Sequence, residues 1–267
     1  MDTQQQKLCN ILLIGDSCID KFHYGVCDRI SPEAPVPVLV HKETITTGGM
    51  VENVKSNLLS FGTERIKITC ISNTEKITKE RFIDTASGQH ILRFDSGEEV
   101  EIKPLDYNHK EIENISKYDL VVISDYNKGF ITEDVSRKIC KECLLYDIPV
   151  FVDTKKRNIE CFTGAIVKIN QKEFNNLNCN FPMNQIIITR GSLGAHWNGC
   201  DFSTKSAQVL DVSGAGDTFL AVLAYKYFES KRDIEVSIKF ANLAASYSVQ
   251  KSGTYALKEE DIEKLCF

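Results

Sequence analysis

Residues 211–219 read DVSGAGDTF, and the apolar run TFLAVLAYKYF overlaps the end of this stretch. The run has the pattern of a buried helix, so Gly214, Ala215 and Gly216 are predicted to lie at a helix N-terminus. Unpaired backbone N–H groups and the helix dipole favour an anion there, and small residues let a phosphate approach closely. Asp217 would then lie beside that anion as a general base for a hydroxyl that attacks phosphorus. The alternative is a plain turn into a helix, with an ordinary first-turn acid.

The rest of the chain alternates between short apolar strands and helical patterns. Runs rich in Ile, Val and Leu are typical of strands buried on both faces, as in a parallel sheet. Helical patterns lie at 132–146, 215–229 and 233–250, and the first opens with Thr132 as a predicted N-cap. This alternation predicts an α/β fold with a three-layer α/β/α core and a mainly parallel central sheet. The predicted strands are ILLIG (11–15), LVVIS (120–124), PVFVD (149–153), AIVKIN (165–170) and QIIIT (185–189).

Two regions do not follow this alternation. Residues 22–46 and 79–103 have alternating strand character and little helix, as in VPVLVHKETI and ERFIDTASGQHILRF. We expect them to form a small antiparallel sheet that projects from the core as a lid. The whole chain, residues 1–267, is predicted to be a single domain.

Composition and charge argue against several classes of protein. The 267 residues carry a net charge of −5, so neither nucleic acid nor an anionic membrane surface is expected as a partner. No apolar stretch reaches about 18 residues, and the polar start MDTQQQKLCN is not a secretory signal. The ten cysteines are scattered, which is typical of reduced thiols in a cytoplasmic protein. Cys140 and Cys143 form a CxxC in a predicted helix, without the further ligands of a zinc site.

Five motifs, in order along the chain, resemble those of the ribokinase-like (PfkB) carbohydrate kinases. DVSGAGD resembles the family's D-[TV]-x-G-A-G-D motif, and no P-loop motif occurs. The likeness spans about residues 10–260 and implies an ATP-dependent sugar kinase with a ribokinase-like core and Mg²⁺ as cofactor. The other four motifs are GDSCID (15–20), GGMVEN (48–53), NQKE (170–173) and TRGSLG (189–194).

The resemblance implies a role for each motif. Asp217 would take the proton from the reacting hydroxyl, and Gly214, Ala215 and Gly216 would form the anion hole for the transferring phosphoryl group. Glu173 would hold Mg²⁺ through water, together with Asn170. Sugar binding is expected from Asp20, Gly48, Gly49 and Asn53, and nucleotide binding from Lys155, Asn170, Thr189, Gly191, Gly194 and Asn242.

Structural roles remain open for several of these residues. Asn170 and Glu173 equally fit a loop residue followed by a first-turn acid of a helix. Lys155 equally fits a solvated lysine in the KKR run, and Asn242 a packing residue in a helix with small neighbours. Asp20 equally fits a turn or helix-capping residue after a strand.

Three stretches point to a narrower group within the family. RISPEAPVPVL (29–39), SDYNKGFI (124–131) and VDTKK (152–156) resemble runs of the D-glycero-β-D-manno-heptose 7-phosphate kinases. That group phosphorylates the anomeric hydroxyl to the 1,7-bisphosphate, a precursor of nucleotide-activated heptose. Lys128 is a candidate for the distal phosphate, and Arg29 and Arg93 are similar candidates.

The resemblance also implies partners. A homodimer through the lid is expected, and a separate nucleotidyltransferase is expected to act downstream, because no HxGH motif occurs in this chain. The alternatives are a kinase for another sugar or sugar phosphate, or a catalytically silent relative that kept the fold.

The sequence departs from the family pattern in two places. Met50, Val51, Glu52 and Lys55 replace small residues of the sugar motif, and the carboxylate of Glu52 is expected near a bound sugar phosphate. The segment 71–79 is short where relatives place another helix and strand. An edge of the central sheet is therefore expected to be trimmed, which leaves a strand exposed unless a partner covers it.

Overall fold

The computed structural model describes residues 8–204 and 207–265, in which the chain forms two separate sheets. The strands of these residues are β1 (Cys9–Gly15), β2 (Ser17–Ile30), β3 (Pro37–Met50), β4 (Ile66–Ser72), β5 (Thr78–Asp84), β6 (His90–Ser96), β7 (Leu120–Asp125), β8 (Val150–Thr154), β9 (Ile166–Asn170), β10 (Ile186–Thr189), β11 (Ala195–Trp197) and β12 (Cys200–Phe202). The larger sheet has the order β12-β11-β10-β9-β8-β7-β1-β4. Its strands run parallel from β10 to β4, and the β10-β11-β12 meander is antiparallel. The mainly parallel central sheet is thus confirmed.

Helices flank this sheet near the predicted positions. Thr132 caps the helix predicted at 132–146, because its hydroxyl accepts a hydrogen bond from the amide of Val135. None of the helices in the described residues is long and apolar enough to cross a membrane. The helices are α1 (Val51–Leu59), α2 (Lys110–Glu113), α3 (Glu133–Leu145), α4 (Gln171–Asn175), α5 (Ala215–Glu229), α6 (Ile234–Ser248) and α7 (Glu259–Leu265).

The central strands are buried on both faces, which explains their nearly continuous apolar sequences. On β1, Leu12 and Ile14 pack into one core cluster, which also contains the buried side of α3. Ile11 and Leu13 point the opposite way, into a second cluster formed with α1, α5 and α6. Side chains alternate between the two faces of a strand, so one sheet supplies both cores. This is the predicted three-layer α/β/α arrangement.

The smaller sheet is the predicted lid, but its centre differs from the prediction. Its order is β3-β2-β5-β6, and both outer pairs are antiparallel. The central pair, β2 and β5, is parallel, so the expectation of an antiparallel sheet is wrong there. The cause is the core: β1 and β4 run parallel to each other, and each leads directly into one lid strand. The two lid strands therefore leave the core in the same direction.

The short segment after β4 leaves that strand at the edge of the central sheet. Residues 73–77 alone connect β4 to the lid strand β5, and β4 pairs with β1 on one side only. Asn73 fixes this connection, because its side-chain oxygen accepts a hydrogen bond of 2.6 Å from the backbone amide of Ser17 at the start of β2. The predicted edge strand is confirmed. The hydrogen bond from Ser17 joins the start of β2 to the segment that leads into β5.

Candidate active site

The loop DVSGAGD leads into helix α5, as the sequence predicted. Gly214 is the N-cap residue with φ 79°, a left-handed conformation that residues with a Cβ rarely adopt, and the helix begins at Ala215. The amides of the first turn and the positive end of the helix dipole lie at this point. Asp217 lies in the same turn. The loop therefore combines a place for an anion with a carboxylate.

Asp217 is a buried carboxylate that accepts two side-chain hydrogen bonds. It is 3% exposed. The side-chain amide of Asn53 donates to one oxygen at 3.0 Å, and the hydroxyl of Tyr126 donates to the other at 2.9 Å. Burial raises the pKa of Asp217 to about 6, the hydrogen bonds from Asn53 and Tyr126 lower it, and nearby Asp153 raises it. A carboxylate with such a pKa is suited to accept a proton near neutral pH.

Asn53 is held in place by a second asparagine that the sequence did not single out. The side-chain amide of Asn57, one turn further along α1, donates to the carbonyl oxygen and to the side-chain oxygen of Asn53. The side-chain oxygen of Asn57 accepts from the hydroxyl of Thr218 and from the amide of Leu257. Helix α1 is thus joined to α5 through buried polar groups beside the candidate base.

Lys168 places a buried ammonium group against the glycine loop. Its Nζ lies 2.6 Å from Oδ2 of Asp153, and a Cβ added to Gly216 would lie 2.8 Å from the same Nζ. Burial raises the pKa of Asp153, but Lys168 and Lys155 more than offset it and hold that pKa below its usual value. Neither Lys168 nor Asp153 was among the site residues predicted from the sequence. A lysine within the apolar strand AIVKIN was the available signal, because a buried lysine needs a partner.

Asn170 and Glu173 form a capping box at the start of α4. The side chain of Asn170 accepts from the amide of Glu173, and one carboxylate oxygen of Glu173 accepts from the amide of Asn170. The other oxygen lies 2.6 Å from Nζ of Lys155. Both side chains therefore have a structural role, and the role of Glu173 toward Mg²⁺ stays a prediction.

Four of the predicted nucleotide residues line one cavity. It has a volume of about 230 Å³ and lies beside the start of α5. Asn242 is fixed within it, because its side-chain amide donates to the carbonyl oxygen of Phe202 at 2.8 Å. The lining consists of Thr189, Gly191, Gly194 and Asn242, of Ala215 and Gly216 from the loop, and of mostly apolar neighbours that include Phe219, Ala245 and Val249. A mostly apolar cavity beside a possible anion site is suited to a nucleotide, with the nucleobase in the cavity and the phosphates at the anion site.

The predicted sugar residues Asp20, Gly49 and Asn53 are not part of the lining of this cavity. Asp20 is 4% exposed and forms an ion pair of 2.7 Å with Arg81. Gly49 is needed because a Cβ there would lie 2.3 Å from Oδ2 of Asp20. A Cβ on Gly48 would instead meet the side chain of Glu52.

Of the three residues predicted to bind a distal phosphate, two already form ion pairs and one lies at an exposed position. The ammonium of Lys128, in the loop after β7, forms an ion pair with Glu98. Arg93 forms an ion pair of 2.7 Å with Asp95. Arg29 lies at the exposed end of β2.

Comparison with known proteins agrees with this geometry. Residues 52–261 match the pfkB family of carbohydrate kinases. The chain belongs to the pfkB carbohydrate kinase family. It is 34% identical to the bifunctional protein HldE of a Nitratiruptor species and 32% identical to that of Campylobacter curvus, over 95% and 97% of this chain. The chain spans 64% and 65% of the lengths of these two relatives.

Solved structures show that the fold of this kinase is that of ribokinase-like enzymes. Phosphofructokinase-2 from Escherichia coli, in complex with potassium, has a TM-score of 0.71 and 15% identity, over 97% of this chain and 98% of its own. Arabidopsis thaliana ribokinase, in complex with ribose and ATP, has a TM-score of 0.66 and 16% identity, over 97% and 99%. Membership of this family makes the protein a carbohydrate kinase, a phosphotransferase.

The larger residues that replace the small ones of the sugar motif fit at the end of β3 and in the first turns of α1. Met50 ends β3 with φ 57° and is buried, and Val51 begins α1. The carboxylate of Glu52 lies 3.2 Å from Nζ of Lys55 and also accepts a weak hydrogen bond from Sγ of Cys70. Lys55 therefore offsets the negative charge that was expected to oppose a sugar phosphate.

Gly214→Ala tests the coupling between the loop and the candidate base. A Cβ at Gly214 would lie 2.5 Å from Nδ2 of Asn53, so the substitution is expected to displace the hydrogen bond from Asn53 to Asp217. We expect a loss of kcat/KM of about ten-fold or more. Gly199→Ala is the control, because Gly199 has φ 81° and no heavy atom within 4 Å of an added Cβ.

Both substitutions place an alanine in a left-handed backbone conformation, which costs about 1–2 kcal/mol. This cost is measured as a loss in the free energy of unfolding in urea. Only Gly214→Ala should lose kinase activity beyond that shared effect. Equal activities in the two variants would contradict the coupling.

Proposed function

We propose that the protein transfers the terminal phosphoryl group of ATP to the anomeric hydroxyl of D-glycero-β-D-manno-heptose 7-phosphate, which gives the 1,7-bisphosphate. Phosphoryl transfer is supported by the buried carboxylate of Asp217, which lies in the first turn of α5 next to Gly214, Ala215 and Gly216. Base and anion site are adjacent, as an in-line displacement requires.

In this reaction, Asp217 accepts the proton of the sugar hydroxyl while the hydroxyl oxygen forms a bond to the γ-phosphorus. The bond from that phosphorus to the bridging oxygen breaks, and ADP leaves. The first-turn amides of α5 and the ammonium of Lys168 face the transferring group, which carries negative charge throughout. Oriented donors of this kind stabilise the transition state without needing to reorganise.

The residues near Lys155 fit a magnesium ion held through water. Both oxygens of Glu173 already accept a hydrogen bond or ion pair, so a direct bond to a metal would have to replace one of them. Mg²⁺ retains several waters and is commonly bound by one or two carboxylates together with substrate phosphates. When bound, it would neutralise charge on the ATP phosphates. Glu173, with Asn170, is the proposed holder.

The choice of heptose 7-phosphate rests on sequence. The run RISPEAPVPVL joins β2 to β3 at the end of the lid, and the relatives named bifunctional protein HldE support a heptose substrate. A nucleotidyltransferase activity would use the product. A kinase for another sugar or sugar phosphate is the alternative.

We propose a cytoplasmic homodimer that associates through the lid. The lid exposes large apolar side chains that a second copy could cover. Eight described cysteines, from Cys18 to Cys200, are free thiols, which fits a reducing compartment. Sedimentation velocity should give a dimer that Val40→Asp and Phe94→Asp convert to a monomer; a wild-type monomer would sink the proposal. The exposed lid residues are Ile30, Val36, Val40, Ile45, Leu92 and Phe94.

A coupled ATPase assay over a panel of sugars tests the substrate. Heptose 7-phosphate is expected to give the highest kcat/KM, above fructose 6-phosphate and ribose, and phosphorus NMR should show the new phosphate on the anomeric oxygen. Turnover of another panel member with none on the heptose would reject this substrate and leave the kinase in place.

Asp217→Asn is the matched control in the same assay, because it keeps the size of the side chain and removes the base. Its rate should fall by about 10²–10⁴-fold while ATP and sugar still bind. No turnover by the wild type, with unchanged binding in the variant, would favour the catalytically silent relative.

A further inference from the structure

The lid carries rows of side chains on the face that covers the site. Thr47 on β3, Asp20 on β2, Lys79 on β5 and Asp95 on β6 are paired across the four strands in that order. Directly paired residues point to the same face of a sheet. Asp20 and Lys79 are buried, so this is the face turned toward the core. The next row contains Ile45, Phe22, Arg81 and Arg93.

The charges of these two rows pair with one another, except for Lys79. Arg81 pairs with Asp20, and Arg93 pairs with Asp95, each at 2.7 Å. Within residues 8–204 and 207–265, the ammonium of Lys79 has no carboxylate within ion-pair distance and donates no hydrogen bond, although the residue is only 9% exposed. Its one close neighbour of note is the ring of Tyr126, with a centroid 5.3 Å away. The ammonium itself is not enclosed, so a ligand can reach it. Its carboxylate neighbours in the row, Asp20 and Asp95, form their ion pairs with Arg81 and Arg93.

The other lysines near the site have carboxylate partners. Lys128 pairs with Glu98, and Lys168 pairs with Asp153. Lys155 pairs with both Asp153 and Glu173. Among these four lysines, and within the residues that the structure describes, Lys79 is the one without a carboxylate partner, so it remains available for a ligand.

Tyr126 relates the position of Lys79 to that of the candidate base. Tyr126 contacts both groups: its hydroxyl donates to Asp217, and its ring lies beside the ammonium of Lys79. Asp20, the predicted sugar residue, is the direct neighbour of Lys79 in the row. On the far side of Asp20, the hydroxyl of Thr47 is buried without a hydrogen-bond partner in the described residues. A sugar that reacts at Asp217 and contacts Asp20 would bring its far end to Lys79.

We propose that Lys79 binds an anionic group at the end of the sugar remote from the reacting hydroxyl, and so makes this kinase prefer a sugar phosphate over the corresponding neutral sugar. The inference rests on the proposed function in that it takes a sugar phosphate as the substrate. Lysine is a common phosphate ligand, and hydrogen bonds between charged partners are about twice as strong as neutral ones. The lid would then determine the substrate class, while the core performs the transfer.

Binding measured by calorimetry in the Asp217→Asn background tests this without turnover. The probes are heptose 7-phosphate and fructose 6-phosphate, each compared with its neutral sugar. Lys79→Met should weaken binding of the phosphates by about 10- to 100-fold, leave the neutral sugars unchanged, and leave the affinity for ATP unchanged. Lys79→Arg, which keeps the charge, should restore most of the loss. Lys42→Met, at an exposed position of β3, is the control and should change none of these values.

The outcomes separate this inference from the proposed function. Binding of a sugar phosphate that depends on Lys79, in a protein that phosphorylates no panel member, would leave the inference standing and reject the function. The inference is overturned if phosphates bind no better than neutral sugars, or if Lys79→Met weakens ATP and both sugar classes equally. Should the Met variant not fold, Lys79→Gln replaces it under the same criteria.

Discussion

The burial of one carboxylate, Asp217, is the constraint on which the site depends. A buried charge needs donors, and here they come from distant segments: Asn53 from α1 and Tyr126 from the loop after β7. Because these donors only partly offset the burial, the pKa of the group stays near 6 and the carboxylate remains basic. The three segments must therefore converge for the chemistry to be possible, and Asn57 keeps two of them together.

The lid depends on the core in a comparable way. The parallel pairing of β1 and β4 sends β2 and β5 out side by side, and this places Asp20 next to Lys79. The same topology brings Arg81 onto Asp20. The charged inner face of the lid thus follows from the order of strands in the core. In the proposed mechanism, the lid recognises the substrate and the core performs the transfer. The candidate site lies near the carboxyl ends of β1 and β7, as is usual for ligand sites of open α/β sheets.

Local sequence patterns predicted the elements well and their assembly less well. Two helix starts were predictable because they depend on residues adjacent in sequence. Gly214 is the N-cap of α5, and Thr132 is the N-cap of α3. The parallel centre of the lid was not predictable, because strand order is set by distant pairings. Tyr126 and Lys168 were missed for the same reason: their roles depend on contacts with Asp217 and Gly216, far away in the sequence. Asn170 and Glu173 had two open roles, of which the structure displays the capping one.

The central claim is that the buried Asp217 must be ionised for phosphoryl transfer. The pH dependence of the single-turnover rate, at saturating ATP and sugar phosphate, tests it most directly. With the pKa of Asp217 raised to about 6 by burial, the rate should be constant above that pH and fall about ten-fold per pH unit below it. Tyr126→Phe removes a hydrogen bond that lowers this pKa, so its midpoint should move to higher pH. A rate that stays constant to about pH 4.5, with the protein still folded, would contradict the account.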